Sequence, residues 1–96
     1  MNFREQTIFF FTTFHSGFVN ILFHIFSVPV YGYGFIEQNI LFVLLGTATE
    51  EIGHLYNHFF KFRGKLREKS LDIVPYQIVA IIVFIYVVGW LSGWFN

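Results

Sequence analysis

The sequence predicts an all-α integral membrane protein: a small bundle of three transmembrane helices, preceded by an N-terminal amphipathic segment at the membrane interface. Of the 96 residues, 55% are hydrophobic and only 12% are charged, whereas about a quarter of the residues in a soluble domain carry charge. A soluble chain of this length could not bury so much apolar surface. There is no cysteine, so disulfides and thiolate metal sites are excluded.

We expect one membrane domain, residues 1–96. Residues 3–15 mix Arg4 and Glu5 with several phenylalanines, which is typical of an amphipathic helix lying near the headgroups. Ser16 and Gly17 then predict a break. The first crossing is predicted at residues 18–31, because Pro29 and the glycines shortly after it should end a helix.

The chain should return through a second helix at residues 35–60 and cross again at residues 72–95. Five of the six basic residues fall between Lys61 and Lys69, and such a run marks a cytoplasmic loop in membrane proteins. This predicts that the N-terminus and the basic loop lie on the cytoplasmic side. It predicts a membrane, and no nucleic acid, as the partner of the basic residues.

The second helix carries a polar stripe. At about 100° per residue, its polar side chains fall within an arc of roughly 120°, and apolar residues cover the other side. Charged groups at membrane depth usually face a bundle interior, a partner or a metal ion. The stripe consists of Thr47, Glu50, Glu51, His54, Asn57 and His58.

The first helix adds two more imidazoles. Asn20 and His24 are four residues apart and share a face, whereas His15 lies nine residues before His24. His15 and His24 reach one site only if the backbone bends, and Gly17 is the expected place. Antiparallel packing of the two helices would then bring all four histidines together.

Imidazole and carboxylate ligands without thiolate suit iron, zinc, manganese or copper, and two histidines with one acid are typical of non-haem Fe(II) oxygenases. We therefore expect His15, His24, His54 and His58 as metal ligands, with Fe(II) or another first-row transition metal as cofactor. His54 and His58 are one helical turn apart, so they can share an ion, and Glu50 or Glu51 would supply the acid.

The spacing of Phe14-His15, Asn20, His24 and Val28-Pro29, followed by Gly53-His54 and a basic run, resembles the family of membrane 2-hydroxy-fatty-acid dioxygenases. This chain differs in having His58 where the family commonly has an acid, and in a shorter segment between the two motifs.

The resemblance implies Fe(II)-dependent shortening of a 2-hydroxy fatty acid by one carbon, with a lipid and O2 as substrates. It implies that Asn20 orients a ligand and that Glu50 or Glu51 is the anionic ligand or proton carrier. A second copy of the chain, or a larger membrane complex, is a further expected partner.

Two other functions are compatible with the sequence. A small subunit could bind haem non-covalently between histidines of the two helices, or serve a larger complex by packing alone, without catalysis. A di-metal lipid hydroxylase or desaturase would need more histidines than one copy offers.

Overall fold

A computed structural model describes residues 2–95 and confirms the all-α class, because these residues form helices and no strand. The chain forms one short helix, a hairpin of two long helices, a second short helix and a long final helix. Their bounds are α1 Phe3–Phe11, α2 Phe18–Ile36, α3 Ile40–Tyr56, a π-helical turn Asn57–Lys61, α4 Lys65–Asp72 and α5 Val74–Leu91.

Three glycines let the backbones of α2 and α3 approach closely, as small residues do between membrane helices. A Cβ on Gly34 would lie 2.7 Å from the Val43 backbone nitrogen, and one on Gly53 would lie 2.9 Å from the Cα of Asn20. The ring of Tyr31 fills the space left by Gly46. These contacts fix an antiparallel register that brings the start of α2 beside the end of α3.

The first long helix does not end at Pro29, so the predicted range 18–31 is too short. The helix continues to Ile36 because Tyr31 and Phe35 bury their side chains against Val43 of α3. That packing offsets the hydrogen bond that proline removes, a loss of about 3 kcal/mol. The turn falls instead at residues 37–39, where Gln38 has a φ of +52°.

The predicted second helix, 35–60, is divided. It begins at Ile40, where the Asn39 side chain accepts a hydrogen bond from the Leu41 amide, and changes to a π-helical turn at Asn57. The predicted basic loop is partly helical, because α4 starts at Lys65. Arg67 of α4 donates to the carbonyl oxygens of His58 and Phe59, at 3.1 and 3.0 Å, and so satisfies backbone groups of the π-helical turn.

The last helix, α5, is shorter than the predicted 72–95 and packs at both of its ends. Near its start, Tyr76 and Ala80 contact an aromatic cluster that includes Phe10 of α1. After its end, the Trp94 indole donates to the Phe35 carbonyl oxygen at 2.9 Å. By length and composition α2 and α5 can each cross a membrane, and α3, at 17 residues, is slightly shorter.

Candidate metal centre

The linker between α1 and α2 carries His15 over the end of the α2–α3 hairpin. Gly17, the residue before α2, has a φ of +95°, a conformation that favours glycine, so the predicted bend at Gly17 is confirmed. The π-helical turn holds the linker: the Asn57 amide donates to the Ser16 carbonyl oxygen and the Lys61 ammonium donates to the Ser16 hydroxyl, both at 2.7 Å.

Backbone carbonyls orient two of the imidazoles. The Nδ1 atom of His15 bonds to the Phe10 carbonyl oxygen, and Nδ1 of His24 bonds to the Asn20 carbonyl oxygen at 2.7 Å. A ring that donates from Nδ1 keeps its Nε2 lone pair free, which is the usual arrangement of metal-binding histidines. Burial lowers the pKa of His15, so its ring is neutral and able to bind a metal at neutral pH.

His54 of α3 supplies the third imidazole. Its ring stacks on Phe14, with centroids 4.1 Å apart and an interplanar angle of 11°. Within residues 2–95, the buried Nδ1 of His54 and the buried Nε2 of His24 have no hydrogen-bond partner. Buried polar atoms are normally paired, so these two nitrogens are available as ligands.

The three imidazoles form a compact cluster. One ring nitrogen each from His15, His24 and His54 lies within 4.8 Å of the other two, and the ring centroids are 4.7–5.1 Å apart in edge-to-face pairs. Three nitrogens bound to one tetrahedral ion at about 2.0–2.1 Å lie about 3.3–3.4 Å apart. A closure of up to about 1.4 Å would therefore let all three bind one ion.

Glu50 lies next to this cluster. Its Oε2 atom is 3.9 Å from the His24 Nε2, and its Oε1 accepts a hydrogen bond from the Tyr31 hydroxyl at 3.1 Å. The Thr47 hydroxyl is 2.8 Å from the same Tyr31 oxygen. This places one anionic oxygen close to the open side of the His24 ring.

The other acid and the fourth histidine lie elsewhere. Glu51 accepts a hydrogen bond from Gln77 of α5, and Nδ1 of His58 is 3.1 Å from the Ser70 hydroxyl of α4. The structure therefore groups His54 with His15 and His24, and the His58 ring instead contacts α4. The linker between α1 and α2, whose Phe14 stacks on the His54 ring, supplies the His15 imidazole to the cluster in place of His58.

Asn20 is fully buried beneath the cluster at its contact with Gly53. Its side-chain amide donates to the Phe14 carbonyl oxygen at 3.2 Å, so it holds the linker, while its backbone oxygen orients His24. The sequence did not single out Tyr31, and it placed Lys61 only in the basic loop. Asn57 was visible in the polar stripe, three residues after His54.

A large apolar cavity opens at the cluster. It has a volume of about 910 Å³ and lies between α1 and α5, with His15 and Glu50 in its wall. A smaller one of about 290 Å³ meets His15 and His24 from the other side, along Ile21, Ile25 and Val28 of α2. The cluster is therefore reachable from two directions, both through apolar surroundings.

No protein family, curated protein or solved structure matches this chain. The resemblance to the lipid dioxygenases therefore stays an expectation. What the structure itself provides is a group of three histidines close enough to bind a metal ion, whose identity is open.

Glu50 and Glu51 offer a matched comparison. We expect Glu50→Gln to weaken metal binding about tenfold, as loss of a partner just outside the ligands usually does, because a neutral amide no longer balances the cation. Glu51→Gln should leave the affinity unchanged, since Gln77 is its partner. Titration of the purified variants with Co(II), followed by visible absorption, measures both. Equal losses in the two variants would contradict the placement of Glu50.

Proposed function

We propose that the protein is a membrane-bound non-haem Fe(II) dioxygenase that shortens a 2-hydroxy fatty acid, or a related lipid, by one carbon. The observation that carries the proposal is the cluster of His15, His24 and His54, whose member His15 lines an apolar cavity. Three imidazoles suit a first-row metal that keeps open positions, and the cavity suits an apolar substrate.

The proposal includes three membrane crossings, made by α2, by α3 with its π-helical turn, and by α5. The molecule extends 45 Å along its longest axis, comparable with the roughly 40–45 Å of a bilayer including its headgroups. The start of α2, the π-helical turn and the start of α5 share one end with the basic residues 61–69. We place that end and the N-terminus in the cytoplasm by the positive-inside rule.

His15, His24 and His54 would hold the metal, which supplies redox chemistry and open positions for O2 and an oxygen-donor substrate. The backbone oxygens of Phe10 and Asn20 fix two of the rings. Glu50, which accepts a hydrogen bond from the Tyr31 hydroxyl, would take the proton of a substrate hydroxyl near the His24 ring. The apolar walls keep bulk water from the reacting carbon.

The balanced overall reaction converts a 2-hydroxy acid and O2 into the acid one carbon shorter, CO2 and water. The bond between the carboxyl carbon and the hydroxylated carbon breaks, and both atoms of O2 are reduced. A haem is disfavoured as cofactor, because ring centroids 4.7–5.1 Å apart leave no slot for a porphyrin between two histidines.

Turnover by the full chain tests the proposal. Protein in lipid nanodiscs is loaded with Fe(II) without oxygen, given 2-hydroxyhexadecanoic acid, and then exposed to air. We expect the fifteen-carbon acid by mass spectrometry, and none from hexadecanoic acid, which lacks the hydroxyl needed to chelate the metal. Iron-loaded protein that leaves the 2-hydroxy acid intact would overturn the proposal, as would a Soret band showing bound haem.

A further inference from the structure

Helix α5 forms the floor of the cavity next to the histidine cluster. Eight of the α5 residues that line it fall in two parallel rows with a spacing of four, so each row follows one stripe of the helix surface. Most of them are valine or alanine. The rows are Pro75, Val79, Val83 and Val87, and Tyr76, Ala80, Phe84 and Val88.

This floor is long, straight and open to the side. From Pro75 to Val88 it runs about 20 Å at 1.5 Å per residue, compared with about 15 Å for the hydrocarbon of one bilayer leaflet. Val83 and Val87 are 54% and 44% exposed, so a lipid chain can enter from the bilayer without crossing water.

Three side chains with amide, imidazole or carboxyl groups line the cavity, Gln6, His15 and Glu50, and they lie at one part of it. His15 contacts the ring of Phe10, which in turn contacts Tyr76, whereas Glu50 is bonded to Tyr31, whose ring meets Phe84 at 5.2 Å. The polar side chains therefore lie beside the stretch of α5 from Tyr76 to Phe84. Gln6 belongs to this part, because it precedes Thr7, which accepts a hydrogen bond from the Tyr76 hydroxyl. Beyond Phe84 the α5 side of the cavity is apolar, ending at Val87 and Val88.

We infer that this cavity is the binding site of a single acyl chain, whose polar end lies at His15 and Glu50 and whose tail runs along Val83 and Val87. The inference rests on the proposed function for the polar end. The occupant must carry its polar group beside the stretch from Tyr76 to Phe84 and be apolar beyond Phe84, because the wall has that pattern. Phe84 is a fixed part of the wall, since its ring packs edge-on against both Tyr31 and Phe35.

The position of the tail makes Val87 a determinant of chain length. The distance along α5 from Ala80, beside the aromatic cluster, to Val87 is about 10 Å. A tryptophan at Val87 would close the far end of the groove, whereas one at Val83 would block it next to the polar end. Ile82 is 61% exposed and does not line the cavity, so it offers a control on the neighbouring face.

Photo-crosslinking tests the inference without relying on turnover. The full-length protein in nanodiscs is illuminated with 2-hydroxyhexadecanoic acid carrying a diazirine in mid-chain, and the labelled residues are mapped by mass spectrometry. We expect label on α5 at the valine rows. Val83→Trp should reduce it about tenfold, in the range that one ill-fitting group costs in an apolar pocket, and Ile82→Trp should leave it unchanged.

A ten-carbon version of the probe tests the length limit. Val87→Trp should reduce labelling by the sixteen-carbon probe and leave labelling by the ten-carbon probe intact. Label spread equally over Ile82 and the cavity, or equal effects of Val83→Trp and Ile82→Trp, would overturn the inference. If the probe labels the α5 residues that line the cavity but the protein shows no turnover, only the proposed dioxygenase activity is overturned. If the protein shows turnover but these residues are not labelled, only the proposed acyl-chain site is overturned.

Discussion

Replacing His15, His24 or His54 with alanine is expected to remove metal binding, with a loss of affinity of at least about 100-fold, because loss of a partner outside the ligands already costs 10–100-fold. Each variant leaves only two imidazoles near the site. His58→Ala should keep full affinity, because His58 bonds to Ser70 on α4. Metal content after purification in detergent, measured by elemental analysis, separates these results.

His58→Ala is the matched control, since it also removes one imidazole from the same chain. Metal loss in His58→Ala equal to that in His54→Ala would contradict the three-histidine cluster and restore the pairing expected from helical spacing. Absence of metal from the unaltered protein, even after incubation with Fe(II) or Zn(II), would instead support a packing subunit without a metal.

Gly53→Ala is expected to destabilise the protein and to weaken the metal site together. The added Cβ would lie 2.9 Å from the Cα of Asn20, closer than real Cβ contacts, and closer still to the Asn20 side-chain oxygen. Overpacking of this kind costs about 1–3 kcal/mol of unfolding free energy. Because Gly53 precedes His54 and Asn20 orients His24, separating the helices also separates the ligands.

Gly32→Ala is the control for Gly53→Ala. It lies in α2, and a Cβ there would meet nothing within 4 Å, so we expect unchanged stability or a gain of about 0.5–1 kcal/mol. Thermal unfolding in detergent and Co(II) titration are measured on both variants. A Gly53→Ala protein with wild-type stability and affinity would show that the α2–α3 contact is looser than described.

Periodicity and composition were enough to predict the helical class, the pairing of the first two long helices and the bend at Gly17. They also predicted that antiparallel packing brings the histidines together, and the structure groups His15, His24 and His54. These features depend on local spacing and on one short connection. Both can be read from a sequence without knowing how distant elements pack.

The helix end predicted at Pro29 and the grouping of His58 with His54 differ from the structure because they depend on contacts between different helices. Pro29 looked like a helix end because local backbone chemistry predicts one, but Tyr31 and Phe35 continue the helix by packing on α3. His58 was a predicted ligand because it is one helical turn from His54, but its ring contacts the Ser70 hydroxyl of α4. In each case a contact with another element outweighed a local preference, and spacing within one helix does not report such contacts.

The linker from α1 also has a consequence for biogenesis. His24 and His54 belong to the α2–α3 hairpin, whereas His15 lies on the linker that follows α1 and is bonded to the π-helical turn. A cation held by all three rings would therefore fasten the amino-terminal helix to the rest of the chain. Maturation would then proceed in two stages, with capture of the ion as the event that completes the second.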